Sequence, residues 1–96
     1  MPEQRAEPRY QVREGALVWE LSRAEASYQN TTIVDVSRHG MRLIIERKLA
    51  RGGQVAIDFR GMVICGTVQY CVPEEGRYAA GIRIGEVMDQ VAEVAA

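Results

Sequence analysis

The chain has 96 residues, 47% of them hydrophobic and 26% charged, with a formal net charge of −1 at pH 7. These are the proportions of one ordinary globular domain, too short to hold a catalytic domain beside a sensor. The near-neutral charge argues against a broad DNA- or RNA-binding surface, and no apolar run approaches the roughly 20 residues that span a bilayer.

Residues 1–11 are polar, contain Pro2 and Pro8, and show no apolar periodicity, which predicts a flexible arm preceding a domain over 12–96. The opening Met1-Pro2-Glu3-Gln4-Arg5 lacks the apolar core of a secretion signal, so a cytoplasmic location is expected. Val12 to Leu21 reads as a first strand bent at Gly15, and Ser22 to Ser27 as its return turn. Tyr28 to Val36, rich in Thr, Ile, Val and Tyr, is a second strand that ends by presenting Asp35 and Ser37. Met41 to Ile45 is a third, and Leu49 with the Arg51-Gly52-Gly53 turn leads to a fourth at Gln54 to Phe59.

The Arg60-Gly61 break fits a hairpin into a long fifth strand, Met62 to Val72, and Pro73 to Gly76 is a second hairpin turn before Tyr78 to Ile84. After Gly85, the residues Val87, Met88, Val91, Val94 and Ala95 fall at helical spacing, predicting a short amphipathic helix over Glu86 to Ala96. Six strands at short intervals with no helix between them predict an all-β, six-stranded antiparallel barrel, with the terminal helix covering one open end through Val87, Val91 and Val94.

Chemistry concentrates in two short segments. Arg5-Ala6-Glu7-Pro8-Arg9 sets two arginines four apart, and Asp35-Val36-Ser37-Arg38-His39-Gly40 follows the second strand. Guanidinium forks suit phosphate oxygens and the O6/N7 edge of guanine, while a carboxylate accepts from guanine's N1 and N2 donors. Read locally, Asp35 and Ser37 instead serve backbone donors at a strand end, with Gly40 in a left-handed turn.

Together the two segments resemble the PilZ family, whose signature is RxxxR followed by [DN]xSxxG. The resemblance extends to Leu49 to Val55, to Gly66-Thr67-Val68 and to Tyr78-Ala79-Ala80-Gly81-Ile82-Arg83-Ile84, and so covers Arg5 to Glu86. It implies a six-stranded barrel with a C-terminal helix and a bacterial receptor for the second messenger cyclic di-GMP. On that resemblance Arg5 and Arg9 take the phosphates and guanine edges, Asp35 takes a guanine's N1 and N2 donors, Ser37 offers its hydroxyl, and Gly40 permits close approach. Arg13, Arg38 and Arg42 are candidates for further contacts. Ala6 stands where many members carry a second arginine, which bears on affinity and on how many ligand molecules are held.

The arm would close on binding and signal to an effector protein in trans, without DNA, RNA or membrane insertion. The alternative is a PilZ-like protein-interaction module that binds no nucleotide. Catalysis is not expected, since the chain offers one histidine, His39, and no clustered carboxylates, and Asp35, Ser37 and His39 in sequence proximity do not make a triad. The same scarcity of ligands argues against a metal site. Cys65 and Cys71, six apart on one strand, would share a face as buried free thiols about 20 Å apart, too far for a disulfide. Trp19, mid-strand, is expected in the core.

Overall fold

The computed structural model describes residues 8–21 and 27–89. Six strands carry the chain: β1 (Tyr10–Glu20), β2 (Ser27–Val36), β3 (Gly40–Ile45), β4 (Gln54–Phe59), β5 (Met62–Glu74) and β6 (Arg77–Asp89). All pairings are antiparallel in the order β1-β2-β3-β6-β5-β4, and β4 pairs back onto β1, so the sheet closes into a barrel.

Period-two alternation explains the core. Met41, Leu43 and Ile45 of β3 point inward together with Val18, Ile33, Val55, Ile57, Phe59, Ile64, Val68, Ala80 and Ile82, so every strand contributes. Leu49, from the β3–β4 connection, joins that cluster, and its backbone N–H donates to Cys71 Sγ at 3.4 Å. The connection is held by buried Gln29, whose Nε2 donates to Arg47 O (2.9 Å) while its Oε1 accepts from the N–H groups of Glu46 (3.2 Å) and Arg47 (3.0 Å). One amide thereby satisfies three backbone groups of a loop.

Both long hairpins turn on two residues with positive φ: Arg60 (55°) with Gly61 (75°), and Glu75 (49°) with Gly76 (82°). This is the twist-compatible type I′ geometry, with glycine at the second position where a side chain is most strained. The second turn is tighter than the expected Pro73 to Gly76, because β5 continues through Pro73↔Tyr78 and Glu74↔Arg77. Strand β1 likewise starts at Tyr10, which pairs with Val36, so Tyr10 and Gln11 belong to the sheet.

Three expectations are corrected. Residues 86–89 are strand: the ladder runs on through Cys65↔Glu86, Ile64↔Val87, Val63↔Met88 and Met62↔Asp89. The length of β5 decides this, because its backbone groups there are paired by β6, and Val87 is exposed rather than packed into a barrel end. The remainder of the expected helix, with Val91 and Val94, lies outside the described residues. Trp19 is only half-buried on the outer face, since Val18 takes the inward position, and its ring packs on cross-strand Tyr28 at 4.7 Å between centroids.

Cys65 and Cys71 are free and partly buried, but they do not share a face. The register shift between Val68 and Tyr70 inserts Gln69 as an extra residue, so Cys71 packs against the core while Cys65 alternates outward from Ile64 and Gly66.

Gly66 sits where β6 lies close against β5. A Cβ there would lie 2.5 Å from Arg83 O and 2.7 Å from Ile82 Cγ2. Gly66→Ala is therefore expected to cost about 1–3 kcal/mol through forced strand displacement. Urea denaturation measures this; a loss below about 0.5 kcal/mol would mean the two strands separate freely at this point.

Candidate functional site

The β1–β2 hairpin brings the two arginine- and carboxylate-bearing segments together. With Tyr10 opposite Val36 and Gln11 opposite Asp35, Arg9 arrives beside the end of β2 although 26 residues separate it from Asp35. Arg42 arrives from the other side, since it is the β3 residue directly across from Asp35.

Asp35 is the centre of the resulting cluster. Its side chain is 3% exposed, and Arg9 donates to Oδ1 from Nε (3.1 Å) and Nη2 (2.7 Å), while Arg42 Nε donates to Oδ2 at 2.6 Å. Arg9 Nη1 also donates to Ser37 Oγ at 3.3 Å. Ser37 is fixed in turn by its N–H, which donates to Gly40 O (2.7 Å), and by its hydroxyl, which donates to the same carbonyl (3.3 Å). Gly40 does not adopt the left-handed conformation that the local reading expects. Its glycine character serves close approach, because a Cβ would lie 3.2 Å from Ile82 O on the neighbouring strand.

Electrostatics follow from this geometry. Burial pulls the Asp35 carboxyl upward, and it is the largest single influence, but the hydrogen bonds and charges of Arg9 and Arg42 together outweigh it and hold the group below its ordinary value of 3.8. Arg42 is raised above its ordinary value by its hydrogen bond to Asp35 and by that charge, with a smaller contribution from Tyr70. The carboxylate is thus ionised throughout the neutral range, and Arg42 stays charged.

The cluster forms one wall of an open cleft of about 650 Å³. Of the residues named from sequence, Arg9, Asp35, Ser37, Gly40 and Arg42 line it, and so does His39. Arg13 lines a neighbouring depression with Arg77, Glu74 and Glu75, Arg38 is exposed outside the cleft lining, and Arg5 lies outside the described residues. The opposite wall comes from β5 and β6 and was not anticipated: Gln69, Tyr70, Gly81 and Arg83. Tyr70 lies across Gly81, where a Cβ would sit 2.2 Å from ring atom Cε2. The ring thus occupies the space of a missing side chain and adds an aromatic surface beside Arg42.

An aromatic surface, paired guanidiniums and a carboxylate whose donors come from half-exposed arginines form a site for a flat, anionic, hydrogen-bonding molecule. Among the described residues no group of three or more His, Cys, Asp and Glu is placed to hold a metal ion. No helix among them is long and apolar enough to cross a membrane.

A six-stranded antiparallel sheet with this site defines a class of small β-barrel regulatory domains. The chain belongs to the PilZ domain family, whose model matches residues 3–95. Among solved structures the fold is similar to the Bacillus subtilis inhibitor of motility MotI/DgrA, with a TM-score of 0.64 at 14% identity over 95% of this chain and 47% of that one. The chain therefore spans about half the length of that protein. No curated protein matches the sequence.

Two outcomes follow. Because Asp35 titrates lower in the folded protein than its ordinary 3.8, the stability it contributes is complete above that value and is lost as pH falls below it, through the lowered native value. In thermal melts the advantage of the native protein over Asp35→Asn should therefore shrink as pH is lowered from 5 toward the lowered native value; an advantage independent of pH would show that the ion pairs do not stabilise the fold. Gly81→Ala should evict the Tyr70 ring, seen as a changed tyrosine fluorescence anisotropy or ring proton shifts, and unchanged shifts would place the ring elsewhere.

Proposed function

We propose that this domain is a cytoplasmic bacterial receptor for cyclic di-GMP that passes its signal to a separate effector protein. The observation that carries the reading is the convergence of Arg9, Asp35, Ser37 and Arg42 on one cleft, in a chain of the PilZ family. Receptor rather than enzyme is the class supported, because the described residues of the cleft offer donors, acceptors and an aromatic face but no activated nucleophile with an orienting base.

The roles follow from lone pairs. Oδ1 of Asp35 accepts two bonds from Arg9, and Oδ2 accepts one from Arg42. A guanine presenting its N1 and N2 donors must displace one of these partners. Arg9, 47% exposed and one residue ahead of β1, is the partner free to leave. Exchange then frees the Arg9 fork for a phosphate oxygen, with Arg5 supplying the same chemistry from the arm. Ser37 offers its hydroxyl to phosphate or guanine, Gly40 leaves room for the ligand backbone, and the Tyr70 face stacks on a purine. Movement of the arm as Arg9 changes partners is the output, and an effector in trans reads it. The inhibitor of motility that shares the fold points to control of motility as one process of this type.

Calorimetric titration with cyclic di-GMP tests the reading, run beside Arg9→Ala, Asp35→Ala and a GTP control. Micromolar or tighter binding, selective over GTP and weakened at least tenfold in both variants, is the expected result. A folded protein that neither takes up cyclic di-GMP in the calorimeter nor competes for it by a second method would overturn the reading and leave a PilZ-like module that binds proteins alone.

A further inference from the structure

The two walls of the cleft carry the same net charge but differ in internal pairing. Arg9 and Arg42 both bond Asp35, so that wall carries two guanidiniums against one carboxylate. On the other wall, Arg83 lines the cleft, is exposed, and has no ion-pair or hydrogen-bond partner for its side chain among the described residues. Asp35 is the only carboxylate among the described residues that line the cleft. Three guanidiniums and one carboxylate leave the cleft two positive charges on a chain whose formal net charge is −1. That surplus matches a dianion, and half of it lies on Arg83.

Register fixes where this charge stands. Arg42 pairs with Gly81 and Gly40 pairs with Arg83, so Arg42 and Arg83 occupy diagonal positions on adjacent strands and project to the same side of the sheet. Their Cα atoms are then about 8 Å apart, from the strand spacing and a two-residue offset. Between them lies Gly81, without a side chain and covered by the Tyr70 ring. The backbone beside Arg83 is anchored, because Ile84 N–H donates to His39 O at 2.8 Å, which also holds His39 on this wall. The arrangement is an aromatic floor with a cation at each side.

We propose that Arg83 binds the second phosphate of the ligand, the one that Arg9 and Arg42 do not reach, and so makes the site selective for a cyclic dinucleotide over a mononucleotide. The proposal rests on the receptor reading above and names a contact outside its two sequence motifs. A planar fork with no partner among the described residues loses nothing to existing bonds when phosphate arrives, unlike Arg9, which must first leave Asp35.

The test is a titration of cyclic di-GMP into the native protein, Arg83→Gln, Arg83→Lys and, as a surface control on the β3–β4 turn, Arg51→Gln, with 5′-GMP as a one-phosphate competitor. Arg83→Gln should weaken cyclic di-GMP at least tenfold and change 5′-GMP less than about threefold, Arg83→Lys should recover part of the loss, and Arg51→Gln should bind as the native protein. Native-like affinity in Arg83→Gln overturns the proposal while leaving the receptor reading intact, and so does an equal loss for both ligands. Absence of binding by the native protein overturns both. If Arg83→Gln does not fold, Arg83→Lys decides: it keeps charge but not the fork, so a loss of threefold or more supports the proposal and no loss rejects it.

Discussion

A carboxylate that is 3% exposed sets the terms for everything around it. An ionised Asp35 would be expelled from this position or neutralised by protonation unless donors surrounded it, because burying an unpaired charge costs several kcal/mol. The donors come from two other segments, Arg9 ahead of β1 and Arg42 in β3, so the pairing of β2 with both neighbours is also what makes an ionised Asp35 tolerable. The dependence runs in reverse for any ligand. A group that takes the place of Arg9 must bring hydrogen-bond donors of its own, or the carboxylate is left short of partners in a nearly dry position. An edge that presents adjacent N–H donors, as guanine's does, meets this requirement, and an edge that presents an acceptor is rejected by the unpaired charge it leaves.

The second wall of the cleft depends on irregularity rather than on pairing. Two register shifts fall within β5–β6, one giving β5 the extra residue Gln69 and one giving β6 the extra residue Gly85. Bulges bend strands and re-aim side chains. Tyr70 immediately follows the first, and Gly81, its partner across the ladder, is the position where its ring can lie flat. Gly66 lets the same two strands come close enough for the ladder to continue on both sides of the irregular stretch. Glycines with no role at a turn thus set the shape of the site.

The sequence made the first wall readable and left the second hidden, and the reason is physical. Arg9, Asp35, Ser37 and Gly40 announce themselves because the chemistry resides in residue type and short spacing, and strand alternation is enough to bring the segments that carry them together. Tyr70, Gly81 and Arg83 come together only through a ladder whose register a single inserted residue changes. The same insertion defeated the inference that Cys65 and Cys71 share a face, since period-two counting assumes an unbroken strand. At Glu86 to Asp89 the spacing of Val87 and Met88 suggested a helix, but an available strand partner, Met62 to Cys65, outweighed that local pattern. Trp19 misled for a related reason: its apolar bulk suggests the core, whereas alternation with Val18 places it outside, where Tyr28 covers one face. Arg83 was within reach, because two positions after Gly81 on a regular strand it must share that residue's face.

The pairing already present in the cleft also determines where binding free energy arises. Arg9 and Asp35 begin with hydrogen bonds to each other, so a ligand that separates them gains only the difference between new bonds and old ones. Such an exchange is nearly balanced and contributes little affinity. Groups without a partner among the described residues would contribute in full to any ligand they met: the open face of Tyr70, on which stacking replaces water, and the guanidinium of Arg83. The cleft thus has one wall of mutually paired groups and one wall of uncommitted ones. Any ligand gains little on the first wall, where each new bond replaces an old one, and the full worth of each new contact on the second.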